Sequence, residues 1–155
     1  MSNPYEEKLR HFIAQYHIQA EHLSFQQSCR SVAEAARTVN AAPQDLVKSI
    51  CMMDAQGSII VAIVKGEDRV SLSRVAGAIG IAEPRMATPQ EILEKTGYPR
   101  GGTPSFGYPA TFLIDPRVFE KDVVYTGGGS ENSLIKITPR ELQRANNGQI
   151  KYIRE

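Results

Sequence analysis

The sequence predicts an α+β domain in which short helices pack on a mixed central β-sheet. Three observations lead there. Helical and strand-like periods are interspersed along the 155 residues. Two apolar runs flank the turn Asp54-Ala55-Gln56-Gly57, the pattern of a β-hairpin, so some of the pairing is antiparallel. The second run, Ser58 to Val64, is apolar without alternation, as in a strand buried on both faces. A chain of this length suits one domain with one core, residues 1–155, opened by an N-terminal helix within residues 1–20.

The elements follow in order. Leu9, Phe12, Ile13 and Tyr16 recur at helical spacing, so Tyr5 to about Tyr16 reads as a helix packed on one face. Ala20 to Phe25 reads as a short strand. Ser31 and Glu34 form a capping-box pattern ahead of a helix from Val32 to Val39. Pro43 to Leu46 is a turn into the strand Val47–Met53, the first arm of the hairpin. Ser71 or Ser73 caps a helix that Gly80 ends. Thr88-Pro89-Gln90-Glu91 is a second capping box, with proline at the favoured first position. Ala110–Ile114, Asp122–Thr126 and Leu134–Ile137 read as strands, with a turn or short helix at Asp115-Pro116. Thr138 to Glu141 is a third capping box, and Ile150–Ile153 reads as a last strand.

Composition excludes several classes. Hydrophobic residues make up 41% and charged residues 23%, as in ordinary globular domains, and the net charge is +1. No global field draws nucleic acid, which argues against DNA; a polyanion has to be met by a local basic patch. No apolar run reaches membrane-span length, and the N-terminal run Met1 to Glu7 is polar, so neither a membrane anchor nor a signal peptide is expected. Cys29 and Cys51 fit no metal spacing and read as reduced thiols of a cytoplasmic protein. No residue cluster proposes a metal, and no cofactor is expected.

One stretch stands out. Gly97 to Gly107 holds four of the twelve glycines and two of the nine prolines. Glycine opens positive φ and close approach, and proline fixes φ, so this is a loop held in one shape with bare main-chain groups. It suits either a tight connection or a main-chain binding site. Gly127-Gly128-Gly129-Ser130 has the same two readings, a flexible turn or an anion nest. Lys48 stands at a strand start, either facing solvent or aimed as a point charge at a phosphate or carboxylate. His22 is the histidine nearest a site, or a partly buried structural one. No nucleophile elbow, phosphate-binding P-loop or dinucleotide fingerprint is present; Gly102 to Gly107 fails the last in spacing and context.

These residues together resemble the YbaK/ProX family, the prolyl-tRNA synthetase-associated editing domain. The resemblance rests on Ser31-Val32-Ala33-Glu34-Ala35-Ala36, Leu46-Val47-Lys48-Ser49, Thr96-Gly97-Tyr98 with Gly101-Gly102 and Gly107, Tyr125 to Ser130, and Ile135 to Pro139. It implies a free-standing deacylase that hydrolyses the ester of mischarged tRNA, Cys- or Ala-tRNA for proline. The alternative is an inactive relative that binds tRNA or a synthetase. The resemblance makes Lys48 and Gly101 the catalytic positions and the 3′ acceptor end of an aminoacyl-tRNA the partner, with an aminoacyl-tRNA synthetase as a possible second partner. Gly102, Thr103 and Pro104 would hold the aminoacyl group, and Gly127, Gly128, Gly129 and Ser130 would form the opposite wall. Arg30, Arg69, Arg74 and Arg100 would meet phosphates. The chain departs from the family pattern at Ser105, where many members have proline, and after Ser130, where some have Asp or His and this chain has Glu131 to Leu134.

Overall fold

The computed structural model describes residues 3–155; Met1 and Ser2, the start of the polar N-terminal run, lie outside the described residues. Asn3 opens the first helix, α1 (Pro4–Gln15), its side-chain oxygen accepting the amides of Tyr5 and Glu6. After β1 (Ala20–Ser24), Ser31 caps α2 (Val32–Thr38) through the Glu34 amide. A 3-10 turn, Pro43–Asp45, feeds β2 (Val47–Met53), which pairs antiparallel with β3 (Ile59–Lys65) in the expected hairpin. Ser71 and Gly80 bound α3 (Leu72–Ile79). A two-residue strand, β4 (Arg85–Met86), precedes α4 (Pro89–Thr96), where Thr88 and Glu91 make the full reciprocal capping box.

The second half builds β5 (Thr111–Ile114), a 3-10 turn at Pro116–Glu120, β6 (Val124–Gly127), β7 (Ser133–Ile137), α5 (Pro139–Asn146) and β8 (Gln149–Ile150). The last strand is shorter than the run Ile150–Ile153 predicts. Past Ile150 the chain leaves the ladder, and the amides of Ile153 and Arg154 turn to the Asp115 carboxylate. The third capping box is also only half made. Thr138 accepts the Glu141 amide, but the Glu141 carboxylate goes to the Gln19 amide at 2.6 Å and to Arg144.

The strands form a mixed five-stranded sheet, in the order β4-β2-β3-β5-β8, and an antiparallel three-stranded sheet, β1-β7-β6. β3 pairs antiparallel with β2 and parallel with β5, so the hairpin lies centrally as its apolar run predicts. The two sheets meet where Leu46 bridges Tyr125. Every residue of β3 is buried, and its side chains divide by the period of two. Ile59, Val61 and Ile63 join the larger core with Leu9, Tyr98, Phe106 and Leu142. Ile60, Ala62 and Val64 pack on the opposite face with Val75 of α3, Leu113 and Ile153. Among the described residues no helix is long and apolar enough to cross a membrane.

Asp115 closes the C-terminus onto this frame. Its carboxylate is fully buried and accepts the amides of Arg117, Ile153 and Arg154 and the Arg154 guanidinium at 2.7 Å. Removing one partner of a buried ion pair leaves the rest without compensation. Asp115→Ala is therefore expected to lower unfolding free energy by about 3 kcal/mol; urea titration of the two proteins measures it.

Candidate active site

The β2 end of the large sheet, the start of α2, the Gly97–Gly107 loop and the end of β6 enclose a cavity of about 470 Å³. Four sequence features converge here because the hairpin carries Lys48 to the same end of the molecule as both glycine loops. Lys48, Arg30, Arg100, Gly101, Thr103 and Gly127 all line the cavity. Its remaining wall is largely apolar and includes Leu46, Val47, Ile92 and Leu134.

The glycine and proline loop has a fixed shape. Gly97 ends α4 in the left-handed conformation at φ +81°. Tyr98 and Phe106 then anchor the two ends, each with no exposed surface. Between them Thr103 Oγ1 donates to the Pro99 carbonyl at 2.9 Å, and the Gly102 amide donates to the same carbonyl. Gly101 has φ +91°, so glycine is required there by backbone conformation. A β-carbon built on Gly101 would meet nothing closer than Arg30 Cγ at 3.4 Å.

Gly127 is required for a different reason. Its β-carbon would stand 2.2 Å from the Thr103 carbonyl oxygen, and the Gly129 amide donates to the Gly102 carbonyl at 2.7 Å. The two glycine loops thus touch main chain to main chain. This contact places several residues behind the cavity wall. Gly102 and Pro104 are buried in it, and Tyr108 Oη donates to the Pro104 carbonyl at 2.6 Å. Gly128, Gly129 and Ser130 face α1 and β7: Ser130 Oγ donates to Glu6 at 2.6 Å, and a β-carbon on Gly129 would meet the Tyr5 carbonyl. Burial pushes the Glu6 pKa up, but hydrogen bonds from the Ser130 and Ser24 hydroxyls, with the nearby Arg10 charge, outweigh it and hold Glu6 below the usual carboxylate range. These five positions brace the cavity and do not line it.

His22 also stands outside the cavity. Its Nε2 donates to the Gly128 carbonyl at 2.8 Å and its Nδ1 accepts from Arg10, which assigns the neutral tautomer. Burial, the largest influence, lowers its pKa in agreement. Arg69 and Arg74 do not line the cavity either. Arg69 lies near enough for its charge to act on Lys48, while the Arg74 guanidinium stacks 4.3 Å over Tyr152.

Lys48 is half-buried on β2, and its ammonium donates to the Asp68 carbonyl. Arg117 holds the Asp68 carboxylate at 2.6 Å, fixing the turn that carries this carbonyl. Burial lowers the Lys48 pKa, the Asp68 charge opposes it in part, and Arg69 adds to the depression. The cavity lining includes no Asp, Glu or His. Its two thiols are poor nucleophiles, because burial raises Cys29 and pushes Cys51 up to about 12. Among the described residues no three of His, Cys, Asp and Glu come together as a metal site would need. The side-chain charges lining the cavity are thus all positive, so it suits a phosphate-bearing ligand whose bond needs orientation more than a strong base.

Sequence reading missed the hydroxyls of Ser49 and Thr126 and saw Ser105 only as a hydroxyl beside the loop and a departure from the family pattern. Ser105 is fully buried, and its Oγ bonds to Ser49 Oγ at 2.7 Å and to Thr126 Oγ1 at 2.5 Å. The one signal was Ser105 itself, at the position where the family pattern departs.

Comparison with known proteins agrees with this geometry. The family profile described as "Aminoacyl-tRNA editing domain" matches residues 26–145. The chain belongs to that family. With the family goes hydrolysis of the ester that joins an amino acid to tRNA. The editing domain is 27% identical to the uncharacterized protein YwhH of Bacillus subtilis, with 86% of each chain covered. It is 29% identical to the multifunctional Ser/Thr-tRNA deacylase ProXp-y of Escherichia coli, covering 76% of this chain and 72% of that one. It also resembles the solved structure of a candidate trans-editing enzyme for prolyl tRNA synthetase, at TM-score 0.92 and 26% identity, covering 100% and 99% of the two chains.

The two glycines separate into distinct outcomes on substitution. Gly127→Ala forces a methyl group against main chain and is expected to cost about 3 kcal/mol. Gly101→Ala makes only ordinary contacts with the Arg30 and Glu131 side chains and pays the left-handed backbone, about 1–2 kcal/mol. Thermal and urea unfolding of both variants checks the order.

Proposed function

We propose that this editing domain removes a small, wrongly attached amino acid from tRNA, acting in trans to the synthetase that made the error. The observation that carries the reading is a cavity with three cations, Arg30, Lys48 and Arg100, and no carboxylate or imidazole in its lining. An aminoacyl ester is already activated, so positioning and charge stabilisation supply much of the rate. In this reading Lys48 meets the 3′-terminal phosphate or ribose. The Gly101 main chain, with Thr103 beside it, holds the aminoacyl group and polarises the ester carbonyl. Water attacks that carbonyl, the terminal ribose hydroxyl assists it, and the tRNA leaves with its hydroxyl restored. Gly127 closes the facing wall, with Gly102, Pro104, Gly128, Gly129 and Ser130 holding the frame and His22 fixing the Gly128 carbonyl. Arg30 and Arg100 take phosphates at the mouth, and Arg69 and Arg74 continue the path along the acceptor end.

Alanyl and cysteinyl esters on proline tRNA are the substrates the family resemblance names. Seryl and threonyl esters, named for the Escherichia coli relative, are of similar size. A synthetase that delivers the tRNA would offset the weak attraction of a chain with net charge +1.

Deacylation of a panel of mischarged tRNAs tests the reading. Lys48→Ala is expected to lower kcat/KM about a hundredfold; full activity in this variant, or no hydrolysis of any ester by the wild type, defeats it. The depressed Lys48 pKa sets a pH dependence. After subtraction of spontaneous hydrolysis, kcat/KM should fall as pH rises through a midpoint below the ordinary lysine value, because the charged form is lost. Stability should move the other way. In the window between the folded and unfolded pKa values the unfolded chain binds more protons, so stability rises with pH. Affinity should also fall with salt, with a log–log slope of roughly −2 for three single-strand phosphate contacts.

A further inference from the structure

The three hydroxyls behind the Gly101 loop form a connected chain with a countable number of protons. Ser49, Ser105 and Thr126 carry three, and the two bonds between them use two. Ser49 and Thr126, the terminal members, both line the cavity, and among the described residues neither hydroxyl has another partner. Ser105 is fully buried and its own proton has no third partner, so the chain is best satisfied when polarised end to end, and then one terminal hydroxyl keeps a proton to donate and the other keeps lone pairs. Either end can switch from donor to acceptor if all three rotate together. The middle hydroxyl cannot drift, because Ser105 is fully buried and its carbonyl accepts Asn146 Nδ2 at 2.9 Å. Cys51, Met86, Ala87 and Ile92 of the same cavity offer no comparable polar group.

We propose that Ser49 and Thr126, coupled through Ser105, are specificity-determining residues that favour esters of hydroxyl-bearing amino acids, serine and threonine, over alanine and cysteine. This rests on the deacylase reading above and adds the side chain it selects. A side-chain hydroxyl both donates and accepts, which matches a wall able to do either. An alanyl methyl displaces water from the terminal hydroxyls and returns no bond, the case in which a polar site rejects an analogue most strongly. A thiol is a weak donor and weak acceptor and satisfies the wall poorly. Ser105 touches no substrate; it is a positioning residue that fixes the spacing and polarity of the two ends.

The test uses one tRNA charged separately with serine, threonine, alanine and cysteine, and the purified chain. The wild type is expected to favour seryl over alanyl ester by at least about tenfold in kcat/KM. Ser49→Ala and Thr126→Val are each expected to reduce that seryl-to-alanyl ratio about tenfold, Ser105→Ala to reduce it in the same direction, and Thr126→Ser to retain it. The ratio is the readout because a merely structural role lowers both esters together. If the wild type hydrolyses alanyl or cysteinyl ester at least as well as seryl, the proposal falls and the deacylase reading stands. An unchanged ratio in Ser49→Ala and Thr126→Val also overturns it, and assigns the hydroxyls to the frame or to the attacking water. If no ester is hydrolysed by the wild type, the deacylase reading itself falls. Should Thr126→Val not fold, Ser49→Ala against Thr126→Ser decides the same question.

Discussion

The main-chain contact between the two glycine loops fixes the geometry of the whole cavity. The Gly129 amide donates to the Gly102 carbonyl, and Gly127 lies under the Thr103 carbonyl where no side chain would fit. That approach, together with the Ser105–Thr126 hydroxyl bond, holds the spacing between the Gly101 wall and the β6 end. The contact is itself supported from outside. Helix α1 delivers Glu6 to Ser130, and β1 delivers His22 to the Gly128 carbonyl. The first two elements of the chain therefore act on the site without entering it.

Charge is arranged to complement this frame. The lining cations Arg30, Lys48 and Arg100 converge on the cavity although the chain as a whole is almost neutral. Acidic residues act on them only from outside the lining, Asp68 on Lys48 and Glu34 on Arg30. Glu67 and Asp68 pair with Arg117, and Glu67 also reaches buried Lys65. Local field and net charge are thus separate quantities here, and only the first bears on a phosphate-bearing substrate.

Much of the frame was legible in the sequence, because it depends on local rules. Ser71 and Gly80 bound α3, Thr88 and Glu91 cap α4, and the unbroken apolar run of β3 announces a strand buried on both faces. Pairing between distant elements was not legible. Nothing in the sequence separates the strands after Asp122 into a second sheet, since that depends on β7 lying between β1 and β6. The site divided in the same way. Lys48 and Gly101 stood out as a cation at a strand start and a glycine in a stiff loop. Ser130 looked like a ligand because it follows three glycines, but its hydroxyl turns to Glu6 from a helix more than a hundred residues away. Ser49, Ser105 and Thr126 lie in three separate stretches of sequence, and no spacing pattern links them; only the folded chain makes the three hydroxyls into one group.

The loop contact has an evolutionary consequence. Its closest approaches are made by backbone atoms and by the absence of side chains, so it constrains very few identities beyond the glycines. In the proposed specificity, the groups that would face an amino-acid side chain, Ser49 and Thr126, lie on other residues. Frame and preference are therefore written in different positions, and a lineage could exchange the hydroxyl at 49, 105 or 126 while keeping the same loops in the same place. A scaffold so divided lends itself to duplication and retuning, one copy for each recurrent charging error.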